Sequence, residues 1–105
     1  MLKTLIFFIL ILFYDESFSN STWTGKWMAL DKWQSEFIII IGKDGDAKTD
    51  YGSGDTGIWK IVDGNLEISW KSGKKDYFFN GVMGHQRISR NRNESYTSGL
   101  KKLSD

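Results

Sequence analysis

The sequence predicts an all-β protein, an antiparallel meander of about seven short strands that forms a small barrel or a two-layer sheet. Short runs rich in β-branched and aromatic residues alternate with glycine-containing turns, and the chain has eleven glycines but no proline. No segment repeats apolar residues at the 3.6-residue helical period between capping residues. A length of 105 residues gives room for one small domain.

The strands are placed by the apolar runs and by the turns between them. The predicted strands are Trp23–Leu30, Glu36–Ile41, Ala47–Tyr51, Gly57–Val62, Asn65–Lys71, Asp76–Phe79 and His85–Asn91. From about residue 93 the chain forms either a final strand around Tyr96–Leu100 or a loose end.

The hairpin at Asp63-Gly64 has the most definite register. Asp-Gly favours a two-residue type I′ turn, whose central residues both need positive φ. This turn pairs Trp59 with Ile68 and Lys60 with Glu67. One face of the hairpin is then apolar and consists of Trp59, Ile61, Leu66, Ile68 and Trp70.

Two further hairpins are predicted at Ser72-Gly73 and Asp44-Gly45. A loop of four or two residues at Ser72-Gly73 places Tyr77 and Phe79 on the same apolar face as the preceding hairpin. A two-residue loop at Asp44-Gly45 places Ile40 opposite Thr49 and Ile38 opposite Tyr51.

The run Phe37–Ile41 is apolar on both faces, whereas a strand with one solvent-exposed face alternates between apolar and polar residues. Its second face is therefore expected to be covered by another sheet layer, a terminal segment or a partner chain. A homodimer through this strand is one such arrangement.

The N-terminus has the layout of a secretory signal peptide. Lys3 precedes an apolar run, Leu5–Tyr14, which Asp15 and Glu16 end, and small residues lead to cleavage near Ser19. We expect residues 1–19 to be the signal and residues 20–105 the single β domain, secreted or periplasmic. The alternative is an uncleaved anchor, but ten helical residues rise about 15 Å against a bilayer core of about 30 Å. No stable membrane span is expected after cleavage.

Composition excludes several chemistries. The chain has no cysteine, so that disulfides and thiolate zinc sites are excluded. The net charge of +1 is too balanced for a nucleic-acid partner. We expect neither a cofactor nor a metal site.

Three features are shared with enzymes or metal proteins but have simpler interpretations. Asp55-Thr56-Gly57 matches the centre of the aspartic protease motif, but its flanks differ and favour a polar turn. A calcium loop starting at Asp44 would have Lys48 and Thr49 at positions that need an oxygen ligand and a glycine. His85 is the only histidine and has no nucleophile-elbow motif beside it.

The five tryptophans are the main candidates for core and ligand contacts. In a domain this small most of them are core, and one or two exposed rings could stack on a sugar or an apolar ligand. The candidate ligand-binding residues are Trp23, Trp27, Trp33, Tyr51, Arg87 and Arg90.

Gly25-Lys26-Trp27 on the first strand, followed only by short hairpins, resembles the opening G-x-W of the calycin barrels, which include lipocalins and avidins. Gly57-Ile58-Trp59 repeats the motif. The resemblance implies a binding protein whose first tryptophan closes one barrel end, against a late-strand arginine such as Arg87 or Arg90.

We therefore expect an exported, non-enzymatic binding protein for a small apolar or saccharide-like ligand. One alternative is an inhibitor or immunity-type protein that binds another protein through loops or an edge strand. The other is a carboxylate-dependent hydrolase.

Overall fold

The computed structural model describes residues 22–105, which form a closed barrel of eight antiparallel strands in sequential order. The predicted signal peptide lies outside the described residues. The strands are β1 (Gly25–Leu30), β2 (Glu36–Ile41), β3 (Asp46–Thr49), β4 (Asp55–Val62), β5 (Asn65–Trp70), β6 (Lys75–Gly81), β7 (Gly84–Arg90) and β8 (Ser95–Ser104). The all-β antiparallel meander is confirmed, with eight strands instead of about seven. Within residues 22–105, no helix is both long enough and apolar enough to cross a membrane.

The eighth strand closes the barrel. The sequence predicted either a strand or a loose end for the tail. The tail forms β8, which pairs with β7 on one side and with β1 on the other. Of the two predicted architectures, the structure has the barrel and not the two-layer sheet. Every described strand has two neighbours, which leaves no edge strand for pairing with another chain.

The hairpin between β4 and β5 has the predicted register. Trp59 pairs with Ile68, and Lys60 pairs with Glu67. Asp63 has φ of 53° and Gly64 has φ of 83°, as the two-residue turn requires.

The registers predicted for the other two hairpins are wrong. Both have three-residue loops, residues 43–45 and 71–73, and each loop ends on a glycine with φ above 90°. Because a shift by one residue exchanges the two faces of a strand, Asp76 and Phe78 point into the barrel, whereas Tyr77 and Phe79 lie outside. For the same reason Ile39, and not Ile40, is opposite Thr49.

The barrel buries one face of β2 and leaves the other on its outer wall. Phe37, Ile39 and Ile41 are buried in the core, while Ile38 is half-buried and Ile40 is exposed on the outer wall. No second layer of the described chain covers that wall. A homodimer through this face stays a prediction.

The barrel has two ends, which we name after a residue at each. The Trp23 end carries Thr22 and the hairpin loops 42–45, 63–64 and 82–83. The Tyr51 end carries the loops 31–35, 50–54, 71–74 and 91–94. Side chains fill the interior between these ends, as expected for a barrel of eight short strands. The buried apolar residues are Trp23, Trp27, Ala29, Phe37, Ile39, Ile41, Ala47, Trp59, Leu66, Ile68, Trp70 and Phe78.

An aromatic plug closes the Trp23 end. The Trp27 ring lies 5.5 Å from that of Trp23 and 5.6 Å from that of Phe78. Trp27 Nε1 donates to the Trp23 carbonyl, and Trp23 Nε1 donates to the Gly64 carbonyl. The His85 ring packs edge-on against both tryptophans.

The glycines of the two G-x-W motifs are sites of close strand approach. A Cβ at Gly25 would collide with the Ser104 carbonyl oxygen of β8. A Cβ at Gly57 would lie 2.5 Å from the Ser69 carbonyl oxygen of β5. These glycines therefore let β1 and β4 approach the neighbouring strand closely.

Gly57→Ala is expected to lower the free energy of unfolding by about 1–3 kcal/mol, because the added methyl group overpacks the contact with β5. The matched control is Gly99→Ala on β8, where an added Cβ meets nothing within 4 Å. That variant should keep its stability or gain up to about 1 kcal/mol. Urea denaturation followed by tryptophan fluorescence measures both, and equal effects would contradict the close-approach explanation.

Candidate functional site at the Tyr51 end

A buried carboxylate organises the loop that carries Trp33. Asp31 is buried, and its Oδ1 accepts hydrogen bonds from the backbone N–H groups of Trp33 and Ser35 at 2.8 and 2.9 Å. The Gln34 N–H donates to the Asp31 carbonyl, and Gln34 has a left-handed φ of 69°. The tight loop therefore holds Trp33 at its outer side, where the ring is 75% exposed.

The same carboxylate connects this loop to Tyr51. The Tyr51 hydroxyl donates to Asp31 Oδ2 at 3.4 Å, and the Tyr51 ring packs on that of Phe37 at 4.6 Å. Burial, followed by the charge of Asp31, raises the pKa of Tyr51 above its ordinary value. The Tyr51 hydroxyl therefore acts as a hydrogen-bond donor, and the residue is 38% exposed at the mouth of the barrel.

Below Tyr51 lies a fully buried ion pair. The Arg87 Nη1 donates to Asp76 Oδ1 at 2.8 Å, and the side chains are 0% and 1% exposed. Asp76 Oδ2 accepts a hydrogen bond from Trp70 Nε1 at 2.9 Å. The Arg87 charge is thus compensated inside the barrel by one carboxylate, which is itself held by the indole of Trp70.

Further contacts place the Arg87 guanidinium close to two aromatic rings. Its carbon lies 5.0 Å from the Phe37 ring centre and 5.1 Å from that of Tyr96. Nη2 donates to the Leu30 carbonyl and to the Tyr96 hydroxyl. Among the described residues, Arg87 Nε and the hydroxyl of Ser98 opposite it have no hydrogen-bond partner. The contacts from Trp70 to Trp33 are therefore continuous, with the Phe37 ring linking Arg87 to Tyr51.

A lysine lies over each of the two exposed aromatic rings at this end. Lys74 Nζ lies 4.9 Å from the Tyr51 ring centre, and Lys32 Nζ lies 5.4 Å from that of Trp33. A groove of about 470 Å³ runs between the loops 71–74 and 91–94 and is lined by Ser72, Gly73, Lys74, Asn91, Arg92 and Asn93. This lining includes two cations and no carboxylate.

Two acidic side chains at this end accept hydrogen bonds from the backbone. Asp50 Oδ1 accepts from the Ile38 N–H, and Asp55 Oδ1 accepts from the Thr56 N–H. A hydrogen bond from the Ser72 hydroxyl lowers the pKa of Asp55 below its ordinary value. Asp55-Thr56-Gly57 is therefore the start of β4, tied to the neighbouring loop.

The structure separates the six predicted ligand-binding residues into three groups. Trp33, Tyr51 and Arg87 belong to the Tyr51 end. Trp23 and Trp27 form the plug at the opposite end, and Arg90 lies on the outer wall over the ring of Tyr77. Of the two late-strand arginines, only Arg87 lies inside the barrel.

The cation over the Trp27 ring belongs to Lys102, at 5.8 Å, and not to either arginine. Three important residues of the site were not identified from the sequence: Asp31, Asp76 and Tyr96. Asp76 needed the correct hairpin register, and Tyr96 needed the eighth strand. Asp31 had a local signal in the sequence, because the side chain of an Asp in a turn often accepts a hydrogen bond from the backbone N–H two residues later.

The described residues contain no group of three His, Asp or Glu side chains placed to hold a metal ion. His85 Nδ1 lies 2.6 Å from Asn80 Oδ1, and the histidine ring packs against the Trp23 and Trp27 rings of the plug. No family model matches the chain, and no curated protein or solved structure matches it. Functional inference therefore starts from the geometry of the Tyr51 end.

Proposed function

We propose that this is an exported, non-enzymatic binding protein that recognises an acidic surface of another protein with its Tyr51 end. The observation that carries this proposal is the exposed Trp33, on a loop that is hydrogen-bonded to Asp31, at the same barrel end as Tyr51 and a groove lined by two cations. Tryptophan, tyrosine and arginine are the residues that most often dominate binding energy in protein interfaces. A preorganised loop also binds with a smaller entropic loss.

A filled interior favours a protein partner over an enclosed small ligand. Trp27, Phe78 and Arg87 are fully buried, and the large grooves lie on the surface. The closed eight-stranded barrel is compatible with a small calycin-like barrel, a group of binding proteins. That compatibility supports binding in general, while the surface described above supports a protein as the partner.

The lysines argue against simple stacking of a saccharide. Lys32 and Lys74 lie on the faces of Trp33 and Tyr51, where a sugar ring would stack. A partner carboxylate would instead pair with Lys74 while Trp33 enters an apolar pocket. The ammonium group of Lys32 already pairs with Glu94 at 3.1 Å. The groove between loops 71–74 and 91–94 would receive an acidic segment of the partner.

The partner can be trapped by site-specific photo-cross-linking. Because the chain has no cysteine, Asn93→Cys carries a single cross-linker in the groove. The matched variant Met83→Cys carries the same group at the opposite end. The proposal expects one stoichiometric protein, cross-linked from the envelope or medium of the source cells by the first variant and not by the second.

Binding of that partner should depend on Trp33. Trp33→Ala is expected to raise the dissociation constant about 30-fold, which corresponds to the loss of one interface hot spot. Lys74→Glu should slow association and reduce its salt dependence, whereas Lys60→Glu on the outer wall should do neither. Saturable binding of a glycan or lipid that Trp33→Ala abolishes would instead contradict the proposal.

A further inference from the structure

Two buried polar atoms inside the barrel, Arg87 Nε and Ser98 Oγ, have no hydrogen-bond partner among residues 22–105. Arg87 is 0% exposed, so that bulk solvent does not reach its Nε–H group. An unpaired buried donor is costly, and nearly all buried polar atoms of folded proteins bond to the protein or to an ordered water. These two atoms therefore mark a place where a further hydrogen-bonding group is needed.

The strand register places the two side chains next to each other. Arg87 of β7 pairs directly with Ser98 of β8. Residues directly opposite in an antiparallel pair point to the same face of the sheet, with Cβ atoms about 5 Å apart. Both side chains belong to the inner face, where Ser98 alternates with the exposed residues of β8. One small molecule can therefore reach both atoms.

The other nitrogens of the guanidinium are already committed. Nη1 donates to Asp76, and Nη2 donates to the Leu30 carbonyl and the Tyr96 hydroxyl. The guanidinium cannot turn to bring Nε to another acceptor without breaking these bonds. The acceptor for Nε must therefore come to the place where Nε lies.

The chemistry of the two atoms selects the molecule. Nε only donates, whereas the serine hydroxyl both donates and accepts. Asp76 already neutralises Arg87, so that the site has no uncompensated cation to attract an anion. The large surface grooves of the described residues are lined by neither Arg87 nor Ser98. A small neutral molecule that both accepts and donates is water, and two polar partners are enough to hold a buried water.

We propose that the barrel binds one internal water molecule between Arg87 Nε and Ser98 Oγ. The water accepts the hydrogen bond of Nε and donates to the hydroxyl oxygen. It thereby joins the buried ion pair to β8, the strand that closes the barrel. This inference does not depend on the partner proposed for the Tyr51 end.

A high-resolution crystal structure of the wild-type protein tests the site directly. One ordered water is expected within hydrogen-bond distance of both atoms, at about 2.7–3.2 Å. A direct hydrogen bond from Arg87 Nε to Ser98 Oγ would overturn the proposal. An ordered anion at this place, or the absence of any density between the two atoms, would overturn it as well.

The sign of a stability change supplies a second test. Ser98→Ala removes one partner of the water, so that the equilibrium constant for unfolding is expected to rise about fivefold. The matched control is Ser95→Ala, the same change at an exposed position of β8, which should stay within about twofold of the wild type. Urea denaturation followed by tryptophan fluorescence measures both variants.

An unhydrated site gives the opposite sign for Ser98→Ala. If the hydroxyl had no partner, the substitution would remove a buried unpaired polar group, and the variant would be as stable as the wild type or more stable. That result would contradict the bound water.

Discussion

Replacing Asp76 with asparagine is expected to lower the free energy of unfolding by about 3–5 kcal/mol, because it leaves the cation of Arg87 buried without a compensating carboxylate. Arg87 is fully buried, and its Nη1 has Asp76 as its charged partner. The asparagine has nearly the same shape and can still accept from Trp70 Nε1. The loss therefore comes from charge and not from a cavity.

The double variant Asp76→Asn with Arg87→Met separates this explanation from simple disruption of the core. It removes the unpaired cation, so that it should be more stable than Asp76→Asn alone. The exposed pair of Lys32 and Glu94 is the matched control, and Glu94→Gln should change stability by about 1 kcal/mol or less. Urea denaturation measures all three, and a double variant no more stable than the single one would refute the charge explanation.

Trp27→Ala is expected to lower the free energy of unfolding by about 3–5 kcal/mol, as removal of a buried large aromatic side chain does. Trp27 is 0% exposed and packs against Trp23 and Phe78. Its loss would open a cavity in the plug and leave the Trp23 carbonyl without the indole donor.

Trp33→Ala makes the same chemical change at the opposite end. Because Trp33 is mostly exposed, this variant should stay within about 0.5 kcal/mol of the wild type. Thermal or urea unfolding of the two variants, followed by circular dichroism, checks the contrast. Similar losses of stability in both would mean that Trp33 is part of the core, and the recognition surface proposed above would have to be reassigned.

The accuracy of the predicted registers follows the hydrophobic pattern of each strand. Around Asp63-Gly64 the strands alternate between apolar and polar residues, so that only one pairing buries the apolar face. The runs Phe37–Ile41 and Tyr77–Phe79 are apolar at consecutive positions, and either register buries apolar side chains. Both of the wrongly predicted registers belong to hairpins next to these runs, and both hairpins have three-residue loops.

The candidate site could be predicted only in part for the same reason. Tyr51 and Arg87 were identified as residue types that suit a binding site, and the structure places both at one barrel end. Asp76 could not be identified, because its inward position depends on the loop 71–73. The predicted strands already placed Trp27 on a strand and Trp33 between two strands, but only the barrel shows that the two residues belong to opposite ends.

The sequence by itself determined the all-β class, the positions of the seven predicted strands to within a few residues, and the pairing of β4 with β5. These features depend on turn residues and alternation within a few neighbouring positions. Only the tertiary structure decided that β8 closes the barrel, that Asp76 neutralises Arg87, and that one end is aromatic and closed while the other presents Trp33. Those features depend on side chains brought together from distant parts of the chain, such as Leu30 with Arg87, and local patterns do not encode such contacts.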